Sequence, residues 1–322
     1  MSVSPRLIER LRTFPAFVEQ TLARTSAADA ARPPEAGGFS LVEHVCHLRD
    51  YDDAGCVGRI GRILTERDPA LPDFDGATIA RERHYRRQDL TSAVAAFGRN
   101  RARTVVVASA LSSAELARPA RLGTRDAVTV GDLLEIVADH DEEHRREIES
   151  LVRELDLEHL RAMARAFAEG FNMGDVDRLM PYYGETYVDV NLRQPVQSRA
   201  ERREYLSRLI ERGGARIDVR PDDIALNGTT AVIRGSIEIR TEPDDERTVA
   251  VRELRYLEVA CKGLDRGRRS VAWMARCRTF DQIAVTWPKC WALAGSFFAS
   301  SDPKALLAWC RQYFREVLSS EF

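Results

Sequence analysis

Two histidines, His140 and His144, sit one helical turn apart in the stretch from Val130 to Leu155, VGDLLEIVADHDEEHRREIESLVREL. Neutral imidazoles at i and i+4 share a helix face and can reach one metal ion together. The stretch reads as a single amphipathic helix. Leu133, Val137, His140, His144, Ile148, Leu151 and Leu155 recur at steps of three or four. Glu135, Asp139, Glu142, Glu143, Arg145, Arg146 and Glu149 fall on the opposite, solvated face. Thr129 is a candidate N-cap, with Asp132 three residues on. Histidines in an apolar stripe also serve as hydrogen-bonded core residues, and two ligands do not make a stable site. A third ligand must come from another element.

The elements before this helix offer one. Residues 5 to 29 read as a first helix with Leu7, Leu11, Phe14, Phe17, Val18 and Leu22 inward, and Pro15 should kink or split it. Arg32 to Gly38 is a loop by its Pro and Gly content. Ser40 with Glu43 makes a capping box for a helix from Leu41 to about Thr65. That helix carries His44, His47, Asp50 and Tyr51, with Ala54 and Gly58 near the row of His47. Residues 66 to 87 read as irregular. A third helix follows from about Asp89 to Leu111, with Leu90, Val94, Phe97, Val105 and Val106 as core candidates. A loop with Pro119 and Gly123 leads into the Val130 helix. Four helices in this span make a bundle, and bundles hold metal sites between facing helices.

The string from Gly38 to Asp50, GFSLVEHVCHLRD, followed by DHDEEH from Asp139 to His144, resembles the DinB family of four-helix bundles. The resemblance covers roughly residues 5 to 155. It implies a divalent metal on three histidines, here His47, His140 and His144, and in some members group transfer involving small thiols. Phe39 stands where that family commonly has Trp, at a packing position. Three histidines and an open position form a catalytic arrangement, in which the metal lowers the pKa of a bound water or thiol. Zinc is the expected ion, with nickel or iron as alternatives, since imidazole ligands suit all of them. His44, one turn before His47, could serve as a spare ligand, but three ligands already suffice and it is expected to act from behind them or at the surface. Asp50 is expected to hold a ring N–H of His47 or to cap locally, and Tyr51 to line the pocket mouth.

Beyond Leu155 the helical pattern nearly continues, so a short joint is expected before a helix from Ala162 to Phe171, stopped by Asn172 to Gly174. A short helix at Asp175 to Tyr183, a strand at Tyr187 to Asn191 and a helix from Ser198 to Arg212 follow. Strand candidates are Ala215 to Val219, Asp223 to Asn227, Thr230 to Arg240, Arg247 to Cys261 and Arg268 to Cys277. Asn227 and Gly228 signal a hairpin. Helices followed by long antiparallel strands are an α+β pattern. Phe171 to Met180, FNMGDVDRLM, with Tyr187 to Asp189 after it, resembles the SnoaL-like or nuclear transport factor 2-like superfamily. That resemblance implies a cone whose curved sheet wraps a pocket, and says little of chemistry. Asp189 is the candidate general base there, with Asn191 on the same strand face. Arg193, Tyr256, Glu258 and Trp273 are further pocket candidates. From 281 onward a helical extension is expected, with Trp287 and Trp291 before a last helix opened by Ser301, Asp302 and Pro303.

The expected architecture is therefore an all-α four-helix bundle (1–155), an α+β cone (156–280) and a helical extension (281–322). Composition narrows the function. A formal net charge of −2 gives no basic field for nucleic acid or an acidic membrane. Arginine greatly outnumbers lysine, which reads as a high-GC genome. The six cysteines are scattered without a C-x-x-C pair, and neither a leader nor a long apolar run is evident. A cytoplasmic protein with reduced thiols is expected, acting on a small molecule that includes a low-molecular-weight thiol among its candidates, and forming a homodimer by resemblance. The leading expectation is a metal-dependent transferase or hydrolase. The rivals are isomerase or cyclase chemistry in the cone pocket, and plain ligand binding or dimerisation.

Overall fold

A computed structural model describes residues 3–191, 194–241, 250–264 and 271–281. The chain divides into two compact units, Met1–Leu155 and Asp156–Phe322.

The first unit begins with α1 (Pro5–Leu22), where Ser4 accepts from the Leu7 N–H and Pro5 opens the helix. Leu7, Leu11, Phe14, Val18 and Leu22 form its buried stripe. Pro15 does not split it; the helix ends before Ser26, which caps the short α2 (Ala27–Ala31) instead of continuing the run. α3 (Leu41–Asp50) starts at the Ser40 capping box, with the Ser40 N–H donating to Glu43 Oε2 at 2.9 Å. A π-helical segment, Tyr51–Val57, separates α3 from α4 (Gly58–Thr65). The expected single helix is thus interrupted just after Asp50, a kind of insertion that often marks functional sites. It turns Tyr51, Asp52 and Cys56 all inward.

β1 (Ala70–Leu71), α5 (Gly76–Glu82) and α6 (Leu90–Ala110) follow, then α7 (Ser113–Leu116), β2 (Pro119–Leu122) and β3 (Arg125–Thr129). The three strands form a small sheet in the order β1-β2-β3, within stretches that sequence patterning reads as loop. Each strand is too short for periodicity to register. On α6 the buried stripe is Ala93, Phe97, Arg101, Thr104 and Ala108. Val106, a core candidate by composition, is 68% exposed, because the polar Arg101 and Thr104 define the inner face. α8 (Val130–Asn172) is one continuous helix, so the expected joint near residue 155 is helical. Its buried Leu133, Val137, His144 and Ile148 belong to the first unit.

In the second unit, Leu160, Ala164, Phe167 and Phe171 of α8 are buried, and the helix stops before Gly174, whose φ of +72° suits glycine. α9 (Val176–Leu179), β4 (Tyr183–Asn191), β5 (Gln194–Gln197) and α10 (Arg199–Glu211) come next. Then β6 (Ala215–Asn227), β7 (Thr230–Thr241), β8 (Ala250–Leu264) and β9 (Val271–Asp281) complete a six-stranded sheet, ordered β5-β4-β9-β8-β7-β6. Asn227 pairs with Thr230 across the expected hairpin turn. The two strand candidates before it are one strand, β6, with a register shift between Pro221 and Asp223 that bends it. β4 pairs parallel to β9, a departure from a wholly antiparallel sheet. Gly235 pairs with Tyr256, and a Cβ at Gly235 would lie 2.6 Å from the Tyr256 ring and 2.3 Å from the Arg220 carbonyl. The close approach of the ring to the β7 backbone requires glycine there. The expected extension from 281, with Trp287 and Trp291, lies outside the described residues beyond Asp281.

Candidate metal centre

α3 carries His44 and His47 three residues apart, and α8 carries His140 and His144 four apart, so each helix presents its pair on one face. The structure brings all four rings together. His47 Nε2 lies 3.0 Å from His140 Nε2, and His140 Nε2 lies 3.1 Å from His144 Nε2. His44, buried rather than at the surface, sets its Nδ1 2.9 Å from His144 Nδ1. Glu147 Oε2 lies 2.9 Å from that same His144 Nδ1 and 3.6 Å from His44 Nδ1.

Aromatic rings wall the cluster. Tyr51 stacks on His140 with centroids 4.2 Å apart and planes at 28°. Phe39 meets both His44 and His47, and Phe74 meets His47 and Tyr51. A Cβ at Gly76 would fall 2.4 Å from His47 Cε1, so the backbone there lies directly against the ring. Burial in this apolar wall lowers every imidazole pKa. His44 and His47 come down to about 4 and His140 to about 3, and His144 is lowered too, with neighbouring histidines adding to the effect on all but His47. At neutral pH the rings are uncharged and hold a lone pair each for a cation.

The donor set fits a divalent ion. His140 Nε2 makes two short contacts, yet one ring nitrogen has one lone pair or one proton and cannot satisfy both. A cation among the three Nε2 atoms satisfies all of them. With metal–nitrogen bonds of about 2.0–2.1 Å, imidazole nitrogens on one ion stand roughly 3–3.4 Å apart, as His140 Nε2 does from His47 Nε2 and from His144 Nε2. The Nδ1 atoms of His47 and His140 are buried without a hydrogen-bond partner among the described residues.

Asp50 does not reach His47. Its carboxylate accepts from Arg49 Nε at 2.7 Å, from Arg83 Nη1 at 2.8 Å and from the Tyr85 hydroxyl. Burial pushes Asp50 up, but the Arg49 and Tyr85 hydrogen bonds and the two arginine charges outweigh it and hold the carboxyl below its usual range. The guanidinium of Arg49 is simply closer than the ring. Tyr51 does line the cluster. Asp139 and Glu143 are exposed, as expected, and Asp139 accepts from Arg10.

Behind the histidines lies a buried charge network that sequence patterning misses. Arg101 donates from Nε to Asp52 Oδ2 at 2.9 Å and from Nη2 to Asp141 Oδ1 at 2.8 Å. Nη1 donates to Asp141 Oδ2 at 2.5 Å and to the Leu11 carbonyl at 3.3 Å. Phe97 and Phe14 flank the guanidinium at 5.0 and 5.8 Å. Asp52 follows Tyr51 and Asp141 follows His140, so the network ties the π-helical segment and α8 to α6 beside the rings. The available signal was Arg101 at the center of the stripe Ala93, Phe97, Thr104 and Ala108.

In the second unit, Tyr256 and Glu258 of β8 are buried and line a small cavity with Leu160, Phe167, Tyr182 and Ile233. Asp189 pairs in register with Gln197 of β5 and Arg278 of β9, and Asn191 with Gln194. Trp273 pairs with Lys262. The side chains of Asp189, Asn191 and Trp273, and all of Arg193, lie outside the described parts. Among the described residues no helix is long and apolar enough to cross a membrane.

Residues 10–148 match the family model described as the DinB superfamily, and residues 164–263 match that of the SnoaL-like domain. No curated protein matches the chain. Among solved structures, YfiT from Bacillus subtilis, described as a probable metal-dependent hydrolase with an unusual four-helix bundle topology, is 21% identical. Its match covers 48% of this chain and 91% of YfiT, with a TM-score of 0.45. A ketosteroid isomerase-like protein from Erwinia carotovora atroseptica is 16% identical, covering 40% of this chain and 97% of that protein at a TM-score of 0.33. A protein of the nuclear transport factor 2-like kind from Novosphingobium aromaticivorans is 16% identical, covering 42% and 90% at 0.37. The chain joins a DinB-like helical domain to a SnoaL-like domain of helices and a largely antiparallel sheet.

Proposed function

We propose that this chain is a metal-dependent enzyme acting on a small molecule, with a divalent ion, zinc by preference, on His47, His140 and His144. The observation that carries the reading is the convergence of three neutral Nε2 atoms within 3.0–3.1 Å contacts from helices far apart in sequence. A bound ion supplies Lewis acidity and lowers the pKa of a coordinated water or thiol, which suits hydrolysis or group transfer. The chain's own residues do the rest. Burial keeps the imidazoles unprotonated, Tyr51 fixes the His140 ring by stacking, and Phe39 and Phe74 keep water from the sides of the rings. His140 is the least enclosed of the three, which opens the cluster on that side to a substrate.

The test uses untagged, zinc-loaded protein with two probe reactions, hydrolysis of an activated ester and addition of a small thiol to an electrophile. Turnover that a chelator abolishes, that zinc restores, and that His140→Ala lacks supports the reading. Turnover in His140→Ala or in the stripped wild type equal to that of the zinc-loaded wild type refutes it.

A second reading has one observation in its favour. Glu258 is 1% exposed and lines a small, mostly apolar cavity, where its carboxyl would meet a bound ligand. Isomerase-type chemistry or ligand binding would then sit in the SnoaL-like domain, with the bundle structural. Activity insensitive to chelator and lost in Glu258→Gln would favour it.

A further inference from the structure

We propose a second divalent-cation position on the far side of His144, held by His44 Nδ1, His144 Nδ1 and the Glu147 carboxylate. It rests on the three-histidine reading only for the bridge: the His144 ring would carry one ion on Nε2 and the other on Nδ1.

The argument is one of unmet valences. His144 Nδ1 stands 2.9 Å from His44 Nδ1 and 2.9 Å from Glu147 Oε2. If His144 Nδ1 carries a proton, that proton serves the carboxylate or the His44 lone pair, not both. If His144 Nδ1 carries none, its lone pair faces a carboxylate at hydrogen-bond distance with nothing between them. His44 gains no relief elsewhere in the cluster, since the carboxylate is 3.6 Å from its Nδ1. The ring is 4% exposed, which removes water as a general remedy. One divalent cation at the centre of the three atoms satisfies every one. Two imidazoles and one carboxylate are also an established catalytic zinc set with positions left open. Glu147 is 55% exposed at its side chain, so the site faces solvent and an ion has a way in.

Single-ion sites commonly hold a ligand ring from behind with a carboxylate. Glu147 alone would do that. The close second imidazole is what a carboxylate hold does not need. Filling the position displaces the remaining ring proton of His144 to solvent and fixes the ring plane from both sides.

The experiment is zinc titration of the untagged, chelator-stripped full chain, with bound ion per chain measured by elemental mass spectrometry after free ion is removed. The wild type should hold two zinc ions per chain, and Glu147→Gln, His44→Ala and His47→Ala one each. Glu147→Gln alters a half-exposed side chain, so it keeps the test valid if His44→Ala fails to fold. A single ion in the wild type that Glu147→Gln and His44→Ala both retain overturns the second position. The variants then separate the two readings: loss in His47→Ala with retention in Glu147→Gln leaves the three-histidine centre standing, and the reverse removes that centre as well as the bridge.

Discussion

Replacing Arg101 with methionine removes the guanidinium from which both Asp52 and Asp141 accept. The side chains involved are 1%, 0% and 6% exposed, so water does not take its place. Breaking a buried ion pair by deleting one partner costs about 3–5 kcal/mol. A second route gives the same size. A stranded aspartate can take up a proton, which at pH 7 costs about 1.36 kcal/mol for each of the roughly three pH units above its ordinary pKa, about 4 kcal/mol in all. This second route has a signature. The proton is easier to acquire at pH 5, but burial already lifts Asp52 to about 6 with Arg101 in place, so the wild type gains there too and the deficit should shrink by about 1–2 kcal/mol. Urea unfolding should be followed by far-UV circular dichroism, because all four tryptophans (Trp273, Trp287, Trp291 and Trp309) lie in the second unit. The half-exposed Arg10, paired with Glu135 and Asp139, serves as control, and its loss should cost under about 1 kcal/mol. Neutralising all three with Arg101→Met, Asp52→Asn and Asp141→Asn together should recover much of the loss. A deficit in Arg101→Met below about 1 kcal/mol at pH 7, or one that is unchanged at pH 5, would refute the reasoning.

Three further outcomes follow from the geometry. Folded His44 and His47 titrate near 4 and His140 near 3, below the ordinary histidine value of about 6.5, so the unfolded chain binds more protons between these limits. Stability of the chelator-stripped protein should therefore fall as pH drops from about 6.5 toward 4, and a Tm that stays flat across that window would contradict the burial of the rings. Gly76→Ala puts a methyl 2.4 Å from His47 Cε1 and should weaken zinc binding about tenfold or more in a competition titration, with little change in helix content. Gly235→Ala forces the β7 backbone off Arg220 and Tyr256 and should destabilise the sheet by about 1–3 kcal/mol, read by tryptophan fluorescence in urea.

Much of the fold was legible because its long elements are strongly periodic. The α8 stripe through His140 and His144, the Ser40 capping box and the Asn227–Gly228 turn are local signals, and each stands in the structure where local rules put it. The convergence of His47 with His140 and His144 came from family resemblance, since spacing within one helix says nothing of which helix faces it. The rest was hidden for physical reasons. Arg101 reads as surface by type, and only its two aspartate partners, 49 and 40 residues away, make its burial tolerable. The π-helical segment has no composition of its own. Asp50 sits one turn after His47 and looks like a ring partner, yet Arg49, Arg83 and Tyr85 take its oxygens first. His44 lies one turn before His47, and its position in the sequence suggests only a supporting role. The structure sets it against the back nitrogen of His144, where sequence gives no cue.

The central claim is that three imidazoles of the bundle share one ion. Crystals of the zinc-loaded, untagged protein, measured on both sides of the zinc absorption edge, test it most directly. An anomalous peak about 2.0–2.1 Å from the Nε2 atoms of His47, His140 and His144 is the predicted result. Zinc-loaded crystals with no peak among those atoms, and the rings in direct contact as hydrogen-bonded core residues, would contradict it.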